Sequence, residues 1–188
     1  MTIAQTLRPA KANAVTRVLY EGALVAFGSA LIALCAQISV DLPFSSVPIT
    51  GQTFAVLVIG MLLGSVRGLA AVSAYLIEGA SGLPVFAGGA AGAIFLAGPT
   101  GGYLIGFLPA AFLTGYLAER RWDRNVGLTV LAMAVGNVLI YVFGVLWLSN
   151  FVPQSQLMVM GVLPFLPGAV VKIAAAAALL PTLRKFAT

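Results

Sequence analysis

The 188-residue chain contains no histidine, one cysteine and only five acidic side chains. Without histidine there are no Cys/His zinc sites, no Ser/His or Cys/His nucleophile pairs and no histidine-ligated haem, and most hydrolytic chemistry goes with them. The lone Cys35 lies inside an apolar run. No cofactor and no metal are therefore expected. Charge is scarce as well: 8% of residues are charged and mean hydropathy is +1.06, whereas a soluble domain carries about 25% charged residues. A soluble globular protein is excluded, and the solvent of the chain is mostly lipid. The +5 net charge comes from ten Lys and Arg spread over the whole length. They form no dense basic face, so nucleic acid is not expected as a partner. The polar, mixed stretch MTIAQTLRPAKANAVTR precedes an apolar run of full span length, which reads as a retained helix rather than a cleaved secretory signal.

What is present is a series of apolar runs. A first span is expected at about 19–38, after which ISVDLPFSSVPITG supplies breakers (Asp41, Pro43, Pro48, Gly51), and a second run covers about 52–66 up to Arg67-Gly68. Between Arg67 and Glu119 the only charge is Glu78. That interval holds two crossings, about 69–80 and 103–118, separated by residues 79–102, of which ten of 24 are Gly or Pro. A plain helix is not expected there. A fifth span covers about 126–148, and a sixth starts after Pro167 and ends near residue 183.

The expected fold is therefore an all-α integral membrane protein of six transmembrane helices. It forms one membrane domain, with residues 1–18 as a cytoplasmic segment and 19–185 as the six-helix unit. The positive-inside rule supports this count. With both termini in the cytoplasm, Arg8, Lys11, Arg17, Arg67, Arg120, Arg121, Arg124, Arg184 and Lys185 all fall on that side, nine of the ten basic residues. The opposite loops, about 39–51, 79–102 and 149–164, contain no Lys or Arg. They are expected to cap a pocket, and the chain to be a multi-pass protein of the plasma membrane.

Lys172 is the basic residue that this topology does not explain. Five residues beyond Pro167, it lies roughly 7 to 8 Å inside the outer end of the last helix. An ammonium there is costly unless paired or wet, and it points to an anionic ligand group, with snorkelling or a structural ion pair as the alternative. Glu78 lies about 16 Å beyond Arg67 along a helix. It is expected to pair with Lys172, to accept from a ligand NH, or to rest at the interface. The segment GLPVFAGGA followed by GPTGGY lacks the Lys-Ser/Thr of a phosphate loop. Its apolar residues suggest a lid packed over a pocket, against the alternative of a mobile loop. Asn137 and Tyr141, one turn apart, face a shared cavity or an interhelical contact. Gly22, Ala26 and Ala30 recur every four residues on the first helix and permit close helix approach, within the chain or to a partner. Arg17, Glu21 and the cluster 119–124 read as interfacial anchors.

VPITGQTFAVLVIGMLLG (47–64), GLPVFAGG (82–89), GPTGGYLIGF (98–107) and VLPFLPG (162–168) followed by Lys172 resemble the BioY family, the biotin-specific substrate-binding (S) components of energy-coupling-factor transporters. The resemblance runs from about 19 to 185. It implies a six-helix protein that captures biotin from outside, in a pocket covered by the loops at 39–51 and 79–102. It also implies docking, through small residues of the first helix, on a transmembrane T component coupled to cytoplasmic ATPases. Ala26 and Ala30, with Gly22, fit that role. By charge complementarity the valerate carboxylate is expected near Lys172 and the ureido rings near Gln52, Thr100 or Asn137, with the reverse orientation as the alternative. Glu78 joins them as a polar group, and Phe86, Tyr103 and Tyr141 supply apolar walls.

The family pattern has an Asp three residues before the Lys, where this chain has Ala169. Either Glu78 or Asn137 replaces that carboxylate, or affinity is reduced. An alternative function is a stand-alone secondary transporter or facilitator of biotin, as a single chain or an oligomer. An intramembrane enzyme is disfavoured, because no carboxylate pair or Ser/Lys pair shares a span.

Overall fold

A computed structural model describes Ala4 and residues 13–186, with side chains placed as far as Arg184. Arg8, Lys11 and the side chain of Lys185, expected among the cytoplasmic charges, lie outside the described residues. Helix α1 (Ala14–Gln37) begins a turn earlier than its apolar run suggests. Asn13 fixes the start, because its side-chain oxygen accepts from the Thr16 N–H at 2.8 Å.

The chain is not purely α. Residues expected as a breaker loop form an antiparallel hairpin, β1 (Ser39–Leu42) and β2 (Ser45–Thr50), with Ser39 opposite Thr50 and Val40 opposite Ile49. Pro43 occupies the turn, and Pro48 is tolerated inside β2 because each strand of a two-stranded ribbon has an unpaired edge.

Helices α2 (Gln52–Leu63) and α3 (Ser65–Ala80) are joined by Gly64 alone, at φ 93°. The reversal thus falls three residues before Arg67, at the residue that accepts a positive φ without a Cβ clash. Arg67 instead sits in the first turn of α3 and pairs with Glu21 of α1. After α3, residues 81–100 contain a 3-10 turn at Ala87–Gly89 and the short α4 (Ala93–Ala97). Helices α5 (Gly101–Glu119) and α6 (Val126–Leu148) follow, separated by a 3-10 turn at Trp122–Arg124. The short α7 (Leu157–Gly161) precedes the closing α8 (Leu166–Phe186).

Among the described residues six helices have twelve residues or more, at the six expected places. Four helical runs are long and apolar enough to cross a membrane by length and composition: Ala14–Gln37, Gly101–Glu119, Val126–Leu148 and Gln154–Arg184. With 12 residues, α2 is about 18 Å long, short of the ~30 Å hydrocarbon core.

One end of the bundle gathers the charges. The Glu119 carboxylate accepts from both the N–H and the hydroxyl of Ser65 at 2.9 Å, and so caps α3 from the end of α5. Arg184 near the end of α8 pairs at 3.0 Å with Asp123 in the α5–α6 turn, both almost fully buried. Burial pushes the Asp123 carboxyl above its usual range, and Arg184 pulls against that shift. The hairpin lies at the opposite end.

Glycine permits the close crossings in between. A Cβ on Gly60 would stand 2.4 Å from Thr114 Oγ1 and 2.5 Å from the Ala111 carbonyl oxygen, so α2 and α5 touch nearly backbone to backbone. Gly60→Val is expected to destabilise the fold by about 1–3 kcal/mol through overpacking. Gly22→Ala, with nothing within 4 Å of the added methyl, leaves stability unchanged. Thermal melting of both variants in detergent checks the contrast.

Candidate functional site

At the hairpin end, α8 carries Lys172 six residues beyond its first residue, about 9 Å along the axis. The half-buried ammonium donates to the Thr50 carbonyl oxygen at 2.5 Å and to Thr53 Oγ1 at 2.9 Å. It thereby ties α8 to the last residue of β2 and the first turn of α2. Both acceptors are neutral. The Ser45 hydroxyl donates to the Met160 carbonyl oxygen at 2.8 Å and fixes the hairpin to α7 as well.

Gln52 opens α2 and is buried. Its amide oxygen accepts from the Thr50 hydroxyl at 3.0 Å, and its amide nitrogen donates to the Tyr75 hydroxyl at 2.5 Å. Facing it, the Tyr103 hydroxyl donates to the Gly161 carbonyl oxygen at 2.8 Å. The Tyr103 ring lies so close to Gly144 that a Cβ there would be 2.2 Å from it. The Phe165 ring contacts Tyr103 edge-on at 6.2 Å and stacks with Tyr141 at 6.4 Å.

The Gly-Pro-Thr-Gly-Gly-Tyr run has a packing purpose. Trp147 Nε1 donates to the Gly98 carbonyl oxygen at 2.9 Å, and a Cβ on Gly102 would be 2.2 Å from the Trp147 Cβ. The loop and the start of α5 therefore fit against α6 only with glycine beneath the indole.

These elements border a partly open cavity lined by Val47, Pro48, Thr50, Gln52, Thr53, Ala87, Phe95, Thr100, Tyr103, Leu104, Phe107, Tyr141, Phe165 and Lys172. Among the described lining residues Lys172 alone is charged. An adjoining recess, bordered by Asp41, Ser46, Ala91, Ile94 and Pro99, shares Pro48, Ala87, Phe95 and Thr100 with the cavity. The hairpin and residues 87–100 meet over both.

Of the eight residues expected at a ligand, Lys172, Gln52, Thr100, Tyr103 and Tyr141 line this cavity, and three do not. The Glu78 carboxylate accepts a short hydrogen bond from the Ser29 hydroxyl on α1. Lys172 is occupied by oxygens of the hairpin and α2, so the expected Glu78–Lys172 pair is not formed. Phe86 is fully buried behind the wall, edge-on to Tyr75 at 5.6 Å and stacked on Phe95 at 5.2 Å, its ring pressed against Gly79. Phe95 is the ring that reaches the cavity. Asn137 is buried on α6 and donates back to the Met133 carbonyl oxygen at 2.9 Å. Neither Glu78 nor Asn137 lines the cavity beside Lys172, and Ala169 is buried one turn before Lys172.

A sequence profile of the BioY family matches residues 6–188. The chain belongs to the BioY family. It is 39% identical over 156 residues to the probable biotin transporter BioY of Pyrococcus horikoshii, covering 83% of this chain and 91% of that relative. The biotin transporter BioY of Rhizobium etli is 37% identical over 161 residues, 81% of this chain and 86% of its own length. The fold is similar to the 2.1 Å crystal structure of the S-component for biotin from an ECF-type ABC transporter, with a TM-score of 0.82 and 29% identity over 93% of this chain and 95% of that one. As a BioY-family chain with several long apolar helices, it is a membrane protein and a transporter component, not an enzyme.

Sequence reasoning missed Thr50, Thr53, Phe95 and Phe165 as lining residues. The threonines flank Gln52 at the strand-to-helix junction, a polar cluster in an otherwise apolar stretch, and that was the available signal. Replacing Tyr103 with Phe leaves the Gly161 carbonyl buried without its donor. A loss of about 1–3 kcal/mol is expected, visible as a lower melting temperature of the ligand-free protein in detergent.

Proposed function

We propose that the chain is the biotin-capturing S component of an uptake transporter. The observation that carries this reading is a single ammonium, Lys172, set in the wall of an otherwise uncharged, largely apolar cavity beneath the hairpin. Such a cavity suits a ligand with one carboxylate, a few hydrogen-bonding groups and an apolar body, and the relatives named above are biotin transporters. The carboxylate meets Lys172 and the ureido group meets Gln52 and Thr100. Tyr103, Tyr141 and Phe95 form the walls. Without a carboxylate at position 169, biotin is held by fewer charge-assisted bonds than the family pattern offers, which lowers affinity by one to two orders of magnitude, about 1.5–3 kcal/mol.

Wild-type protein in detergent is expected to prefer biotin over the neutral biotinamide, and Lys172→Ala to lose that preference. Equal preference in both proteins, read by competition binding, would remove the carboxylate contact. Mass spectrometry of small molecules that copurify with the protein tests the ligand itself.

The topology that goes with this role has six crossings in one membrane unit. The charged end of Arg67, Asp123 and Arg184 lies in the cytoplasm, and the hairpin faces outward. The short α2 then spans only part of the bilayer, because the hairpin descends to meet it. Gly22, Ala26 and Ala30 are all exposed on α1, whereas Gly28, Ser29, Ile32 and Ala36 face the bundle. That leaves the small-residue face free for a T component, which cytoplasmic ATPases energise. In liposomes, biotin uptake is expected to require the T component and the ATPases, and Ala26→Leu to abolish uptake while biotin binding by the isolated chain persists. Uptake by the chain alone would instead favour the stand-alone transporter.

A further inference from the structure

Tyr75 is the largest fully buried side chain of α3, and it lies outside the lining of the cavity. Its hydroxyl is nevertheless one of two groups that hold Gln52, the other being the Thr50 hydroxyl. The Thr50 carbonyl in turn accepts from Lys172. A continuous run of hydrogen bonds therefore leads from the one cation of the cavity, through Thr50 and Gln52, to a hydroxyl behind the wall. A buried amide gripped at both ends has a fixed plane, whereas one gripped at a single end rotates about its terminal torsion.

We propose that Tyr75 is a positioning residue for ligand binding: its hydroxyl sets the orientation of the Gln52 amide, and through it the affinity for biotin, without touching the ligand. The inference rests on the biotin reading above. The other face of Tyr75 seats Phe86, whose ring stacks on the cavity-lining Phe95. Tyr75→Phe keeps that seat and removes only the hydroxyl, so it separates the two roles of the side chain.

The test is a double-mutant cycle on the full chain in detergent, with radiolabelled biotin as the ligand. Tyr75→Phe is expected to weaken biotin binding about 10-fold, the size of one buried hydrogen bond. Gln52→Ala weakens it at least as much, and Tyr75→Phe added to Gln52→Ala costs nothing further. An unchanged affinity in Tyr75→Phe, or an equal additional loss in the Gln52→Ala background, overturns the proposal. If Tyr75→Phe does not fold, Tyr75→Leu, which also lacks the hydroxyl, enters the same cycle, where additivity again overturns it. A wild type that binds no biotin overturns the biotin reading and this inference together. Normal wild-type binding with uncoupled variants overturns only the role of Tyr75.

Discussion

An ammonium within an apolar bundle must find oxygen, and the architecture of the ligand end follows from how Lys172 finds it. Among the described residues no carboxylate pairs with Lys172. Its partners are the Thr50 carbonyl and the Thr53 hydroxyl, so the end of β2 and the beginning of α2 are drawn against α8. That contact sets the floor of the hairpin and brings Gln52 to the cavity wall. Because neutral oxygens solvate a charge without cancelling it, the positive potential persists in the cavity.

The second constraint is steric. Aromatic side chains are seated against glycines: Tyr103 on Gly144, Phe86 on Gly79, Trp147 on Gly102. Each glycine lets a ring lie on backbone, which positions a bulky wall with little rotational freedom. Helix association in an apolar solvent depends on such packing, because lipid tails supply no hydrophobic drive between helices. The glycine content of the chain is therefore concentrated in function at helix crossings and under rings as much as at turns.

Much of this was legible in the sequence because charge is so scarce. Arg67, Glu119 and the 120–124 cluster marked one end of the bundle, and Lys172 stood out as the cation that topology left over. The hairpin was not legible. Asp41, Pro43 and Pro48 read as breakers, and their compatibility with a ribbon depends on both strands having a free edge, which only the three-dimensional pairing reveals. Nor was the reversal at Gly64 visible beside the more conspicuous Arg67. At the site, Lys172, Gln52, Thr100, Tyr103 and Tyr141 were recognisable as polar or amphipathic groups within apolar runs. Phe86 was expected at the wall, and Phe95 from the same loop takes that place. Which of two rings faces inward is decided by the socket at Gly79, a contact between residues distant in pattern. Glu78 was drawn to Lys172 by charge alone, but the nearer hydroxyl of Ser29 takes it.

The interlock of α5 and α6 has a mechanical consequence. Gly102 and Gly106 lie on the Trp147, Phe143 and Ile140 backbone and side chains, while Gly144 lies on Tyr103, so the two helices key into each other from both sides. Sliding by even one residue would drive a ring into a main chain. The pair therefore acts as a rigid strut. Residues 82–92 instead fold through positive φ at Gly82, Gly88, Gly89 and Gly92, a backbone that glycine adopts without a Cβ clash. The cavity thus has one wall whose two helices cannot shift past each other.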